Sequence, residues 1–131
     1  MSKDFGSAAS STPRASVLAI AADLLFASRI RAVAAEAGVD AVLVRSPDAL
    51  LASAQTHPPR RILIDLDARA FDPAELIRRL KEDERTRPIE VIAFVSHVRE
   101  DAIAAARQAG ADRVLARSAF VRQLPALMTS P

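Results

Sequence analysis

Short unbroken runs of apolar residues, Val17 to Ala21, Ala41 to Val44, Ile62 to Leu66 and Val91 to Val95, recur along the chain with helical periodicity between them. A strand with one wet face would alternate apolar and polar residues, so continuous runs rich in Val, Ile and Leu predict strands covered on both faces. A fifth run, Arg113 to Ala116, is shorter and mixed, as suits a strand at a sheet edge. Between the first two, Phe26, Ile30, Val33 and Ala37 fall on one helical face, and Gly38 follows as a stop, which predicts a helix over 24–37. Ser46, Pro47 and Asp48 supply an N-cap, a proline at the first helical position and an acidic first turn, opening a helix that must end before Pro58 and Pro59. Asp72, Pro73 and Glu75 repeat the device as a capping box, with Leu76 and Leu80 one turn apart behind it. The charged run Arg78 to Arg87 is expected to be the wet face and end of that helix, closed by Pro88. A fourth helix is predicted from about Glu100 to Ala109, stopped by Gly110. In the last, capped by Ser118, Phe120, Val121, Leu124 and Leu127 make an inward stripe, with Pro125 late in the pattern.

Five repeats of strand and helix imply a parallel sheet with right-handed crossovers and helices on both faces. The expected fold class is therefore α/β, a flavodoxin-like, doubly wound, five-stranded parallel sheet of order 2-1-3-4-5. The first and fifth helices should share one face and the other three the opposite one. A length of 131 residues with half of them apolar suits one core, expected over residues 15–131, behind a disordered tail over 1–14. That tail, rich in Ser and Ala, lacks the apolar centre of a secretory signal. The stretch Val17 to Ala27 is interrupted by Asp23 and is shorter than the roughly 20 residues a membrane span needs. A soluble, cytoplasmic protein is expected. With no cysteine, disulfides and thiolate chemistry are excluded. The net charge of +2 arises from 18 basic and 16 acidic residues interspersed along the chain. Arg60, Arg61, Arg78, Arg79, Arg85 and Arg87 are broken up by acids and have no Trp or Tyr beside them, which argues against nucleic acid as a partner.

In doubly wound sheets the binding crevice lies beyond the carboxyl ends of the strands. The side chains expected there are Ala21, Ala22 and Asp23, then Asp65 and Asp67, then Val95, Ser96 and His97, then Arg117. Around these residues the chain resembles the receiver domain of bacterial response regulators, in which an aspartate ending the third strand accepts a phosphoryl group. Ile62-Leu63-Ile64-Asp65-Leu66 has that form, and the stretch Ala102 to Leu115, with Ala104-Ala105-Ala106 and Gln108-Ala109-Gly110-Ala111-Asp112, is similar to a receiver's fourth helix and fifth strand. The resemblance covers roughly Ala15 to Met128 and makes Asp65 the phosphoacceptor-like position.

The resemblance also exposes departures. Where a receiver carries two acidic residues that hold Mg²⁺, this chain has Ala21 and Ala22. Where a receiver places Ser or Thr at the end of the fourth strand, this chain has Val95, with a hydroxyl one residue later at Ser96. The phosphate-contacting lysine is replaced by Arg117 and the proline after it by Ser118, and arginine offers a planar fork in place of a compact ammonium. The loop after Asp65 lacks the usual proline and glycine. A degenerate pseudo-receiver is thus expected, not an enzyme and without a cofactor, acting through another signalling protein or self-association because no output domain is appended. Two alternatives stay open: a phosphorylatable receiver using Asp65 with weakly bound Mg²⁺, and a small-molecule-binding domain. Asp23 is read as opening the first helix, His97 as a loop residue near the crevice and His57 as facing solvent. With no metal to neutralise it, Asp65 is expected to take Arg117 as a salt-bridge partner.

Overall fold

Strands and helices alternate as the pattern of apolar runs requires. The structure, a computed structural model, describes residues 17–96 and 99–130, so the expected tail over 1–14 and His97 lie outside the described residues. The elements are β1 (Val17–Ile20), α1 (Leu24–Ala37), β2 (Ala41–Val44), α2 (Pro47–Thr56), β3 (Arg61–Asp65), α3 (Pro73–Glu82), β4 (Glu90–Val95), α4 (Glu100–Ala109), β5 (Arg113–Ala116) and α5 (Arg117–Thr129). The strands form one sheet of order β2-β1-β3-β4-β5, every pair parallel, which is the flavodoxin-like arrangement.

Helix ends follow local chemistry. Asp23 caps α1 by accepting the Leu25 N–H at 2.8 Å, and Gly38 ends it in the left-handed region at φ 69°. Ser46 caps α2 through the Ala49 N–H at 3.1 Å, and Asp72 caps α3 through the Glu75 N–H at 3.2 Å. Only half of the expected capping box forms there, because the Glu75 carboxylate turns outward to the Arg78 guanidinium. Ser118 does not cap α5. The extended Ala116, last residue of β5, is already the cap position and Arg117 the first helical residue, so the serine falls inside the first turn. Gly110 is required twice over: its φ is 112°, and a Cβ there would sit 2.9 Å from Lys81 Cγ. The Lys81 ammonium donates to the Arg87 and Ile89 carbonyls and to the Asp112 carboxylate, tying α3 to the turn before β5.

The sheet is covered on both sides. Leu18, Ile20, Ile62, Ile64, Val91 and Ala93 pack with α2, α3 and α4, whereas Val17, Ala19, Leu63, Ile92 and Phe94 pack with α1 and α5. This is the expected division of helices between faces. Phe94 stacks on Phe120 with centroids 4.3 Å apart, and Phe26 meets both edge-on. No helix among the described residues is long and apolar enough to cross a membrane.

At the amino end of β3 the sheet holds one long charged side chain. Arg61 is 3% exposed; its Nε lies 2.6 Å from Glu90 Oε1, and its Nη1 donates to the carbonyls of Leu127 and Ser130 at the end of α5. The guanidinium thus serves the last carbonyls of a helix that have no partners of their own. Replacing it leaves those acceptors buried without donors. Arg61→Met is expected to cost about 3 kcal/mol in urea unfolding, while Arg60→Met on the exposed neighbour costs under about 0.5 kcal/mol. Equal small losses would show that the buried arginine does not anchor α5.

Candidate functional site

The loops after β1, β3 and β4 meet in an open crevice of about 710 Å³, lined among others by Asp23, Phe26, Asp65, Asp67, Arg69 and Arg99. Asp65, the last residue of β3, is 3% exposed. Its carboxylate is held by the main chain: the Ala22 N–H donates to Oδ2 at 3.0 Å and the Asp67 N–H to Oδ1 at 2.8 Å. Burial pushes the Asp65 carboxyl up from its ordinary value of 3.8; the two amide hydrogen bonds oppose the shift, and the charges of Asp67 and Asp23 add to it.

Asp67 turns its own carboxylate to the next loop. Its Oδ2 accepts the Ser96 N–H at 2.6 Å, and its Oδ1 lies 3.9 Å from Arg99 Nη1. The Ser96 hydroxyl in turn accepts from Arg117 Nη1 at 3.3 Å. Arg117 Nη2 stands 3.7 Å from Asp23 Oδ2, and its guanidinium carbon lies 4.7 Å from the centre of the Phe26 ring. A circuit therefore runs Asp65, Asp67, Ser96, Arg117, Asp23, and returns along the chain through Ala22 to Asp65. It joins the loops after β1, β3 and β4 to the first turn of α5.

Of the residues expected at the crevice, Ala22, Asp23, Asp65, Asp67 and Ser96 line it. Arg117 reaches its edge through Asp23 and Ser96. The expected salt bridge between Arg117 and Asp65 is absent. Both Asp65 oxygens already accept main-chain amides, whereas the Phe26 ring and the Asp23 carboxylate draw the guanidinium outward, where its side chain is 43% exposed. Val95 is buried in the core and presents nothing to the crevice. Arg99, Arg69 and Phe26 were not anticipated there. Phe26 was legible only as a core position of α1, and nothing in the apolar pattern marks the two arginines.

The donor set does not suit a divalent cation of the kind the resemblance implies. Such an ion takes carboxylate oxygens free to replace its waters, and here Asp23 caps a helix, Asp67 is engaged by Ser96 and Arg99, and Ala21 and Ala22 bring none. Among the described residues no three His, Cys, Asp or Glu side chains come together to hold a metal.

No protein-family model and no curated protein matches the sequence. Solved structures do match. The chemotaxis protein CheY4 of Vibrio cholerae superposes with a TM-score of 0.74 at 14% identity, over 85% of this chain and 92% of that one. A phosphorylated cyanobacterial phytochrome response regulator, RcpA, gives 0.71 at 21% identity over 86% of each chain. The manganese-bound response regulator Rcp1 gives 0.71 at 17% identity, over 88% of this chain and 95% of that one. These likenesses establish the fold as that of response-regulator receiver domains.

The electrostatics give a signed expectation. Because Asp65 holds its proton more tightly folded than unfolded, the native state binds more protons between pH 3.8 and the raised value, and its contribution to stability falls as pH rises through that window. Asp83, hydrogen-bonded by the Arg85 guanidinium and then by the Arg85 N–H, is held low and works oppositely: its contribution is lost as pH falls through its own depressed value. In an NMR titration resolving carboxyl carbons, Asp65 should titrate above 3.8 and Asp83 below it. An Asp65 midpoint below 3.8 would mean that its hydrogen bonds outweigh burial. The geometry of Arg117 is tested separately by double-mutant cycles. Asp65→Ala and Arg117→Ala should be additive within about 0.3 kcal/mol, and Asp23→Ala with Arg117→Ala should couple by less than about 1 kcal/mol. A larger coupling to Asp65 would restore the direct pair.

Proposed function

We propose that this domain is a pseudo-receiver: a protein-interaction module of signal transduction that works without phosphorylation and is not an enzyme. The observation that carries the reading is how the Asp65 carboxylate is satisfied, by the amides of Ala22 and Asp67 in place of a metal held by neighbouring acids. Phosphoryl transfer is catalysed by positioning and by neutralising charge on the transferred group, work a divalent cation shares with a basic side chain. Here Ala21 and Ala22 stand where the resemblance would put the carboxylates that hold that cation, and the basic side chain at the end of β5 is turned to Asp23 and Ser96. The partner in this reading is another signalling protein or a second copy of the chain. Leu24 and Leu25, 75% and 79% exposed on the first turn of α1, offer apolar surface beside the crevice for such a contact.

The competing reading, a phosphorylatable receiver, is favoured by the position of Asp65 at the carboxyl end of β3 within the crevice. One experiment divides them. After incubation with a small acyl phosphate and millimolar Mg²⁺, the intact mass should be unchanged, and Mg²⁺ alone should not raise the melting temperature. A phosphoryl adduct that disappears in Asp65→Ala would overturn the proposal.

A further inference from the structure

At the amino end of the sheet, away from the crevice, the loops before β3 and β4 border a hollow of about 370 Å³ lined by Pro58, Pro59, Arg60, Arg85, Pro88 and Ile89. The three prolines offer carbon rings and no main-chain N–H. Ile89, 6% exposed, adds a fourth apolar side chain. Water gains little from such a wall, and a flat apolar ring covers it well. The two cations at the rim differ. Arg85 is bound to Asp83 at 2.9 Å, whereas Arg60 is exposed and, among the described residues, its side chain makes no hydrogen bond or ion pair. The hollow therefore suits one apolar ring with one carboxylate beside it.

The segment before Val17 carries one such pair. Among residues 1–16, Asp4 is the only acid and Phe5 the only aromatic, and the two are adjacent. The chain also enters the fold at the right place. Val17 stands level with Arg61 in the neighbouring strand, and Arg61 with Glu90 in the next. At about 4.8 Å between strands, Arg60 and Ile89 lie within roughly 10 Å or so of where β1 begins. Phe5 precedes Val17 by 12 residues. A link of that length spans about 20 Å as a coil and at most about 40 Å extended, so the pair reaches the hollow with slack and competes there at a millimolar effective concentration. We infer that the hollow is the docking site of the chain's own amino-terminal segment, with the Phe5 ring against the prolines and Ile89 and the Asp4 carboxylate on Arg60. The ring supplies most of the attraction, because an exposed ion pair contributes little. The segment then covers the end of the sheet remote from Asp65 and must leave before another molecule can use that end. This goes beyond the reading of the crevice and depends neither on a metal there nor on phosphorylation.

The test uses the full chain at low ionic strength, with isoleucine methyls and phenylalanine rings labelled for NMR. Nuclear Overhauser cross-peaks should join the Phe5 ring to the Ile89 methyls, with a relative intensity independent of protein concentration. Phe5→Ala should remove them and shift the Ile89 methyls as the ring current is lost, while the Ala22 and Asp65 amides at the other end of the sheet stay in place. Arg60→Asp should weaken the cross-peaks about threefold, and adding Asp4→Arg should restore them. These substitutions lie in the segment itself or at an exposed loop position, so none of them removes a core contact. Absence of the cross-peaks in the unaltered chain overturns the inference. Cross-peaks that grow with concentration and appear between differently labelled chains overturn it too, since the occupant is then the segment of a second copy. Equal intensities in all the charge variants take Asp4 and Arg60 out of the site and overturn it as well.

Discussion

A strand covered on both faces can carry polar groups only where it leaves the sheet, and β1, β3 and β4 are confined in this way. Their middle residues are almost wholly buried and apolar, so every charged group of β3 is pushed to its two ends. At the amino end stands Arg61, which meets Glu90 and the last carbonyls of α5. At the carboxyl end stands Asp65, which meets the amides of two loops. Both ends show the same physics: a buried charge persists only where hydrogen-bonding partners are fixed around it. The crevice is the less complete of the two, because burial still raises the Asp65 carboxyl against its two amide donors.

The polar circuit around the crevice is a consequence of that incompleteness. With alanines at 21 and 22, the loop after β1 contributes a main-chain donor, not acids, and the acids that remain are each committed elsewhere. The charges then settle pairwise at the rim, Asp67 with Ser96 and Arg99, Asp23 with Arg117. The latter pair is half exposed and weak, while the Ser96 amide bond is short and part-buried. The shortest of these contacts thus ties Ser96 to the loop after β3.

How much of this was legible beforehand depended on whether a feature is set locally. The boundaries of α1 and α4, and the caps at Asp23, Ser46 and Asp72, follow from residues a turn apart, and the structure keeps them. The parallel sheet followed from alternation, and its order from the flavodoxin-like arrangement that suits a chain of this length. Ser118 misled because a serine near a helix start resembles a cap, yet the cap position is decided by where β5 stops, at Ala116. Arg61 was weighed only with the other arginines as a possible nucleic-acid stripe; its burial depends on Glu90 and α5, far along the chain. Arg117 was expected at Asp65 on charge and on its place after the fifth strand, without the knowledge that two amides occupy the carboxylate or that Phe26 offers a face to the guanidinium. Asp23, Asp65 and Asp67 were placed at the crevice by strand-end position, but their partners are three-dimensional facts.

The meeting of Lys81 and Gly110 bears on how this sequence can drift over generations. The lysine stem occupies the space beside the glycine, and its ammonium closes on Asp112, which also accepts the Val91 N–H at 2.7 Å. Shortening Lys81 would clear the space without relieving the backbone, since any side chain at 110 would still have to adopt φ 112°. Position 110 is thus closed to single-step change from either direction. Asp112 is freer, because loss of the lysine leaves it one amide to hold. In descendants of this chain the glycine should outlast the lysine that fills its place.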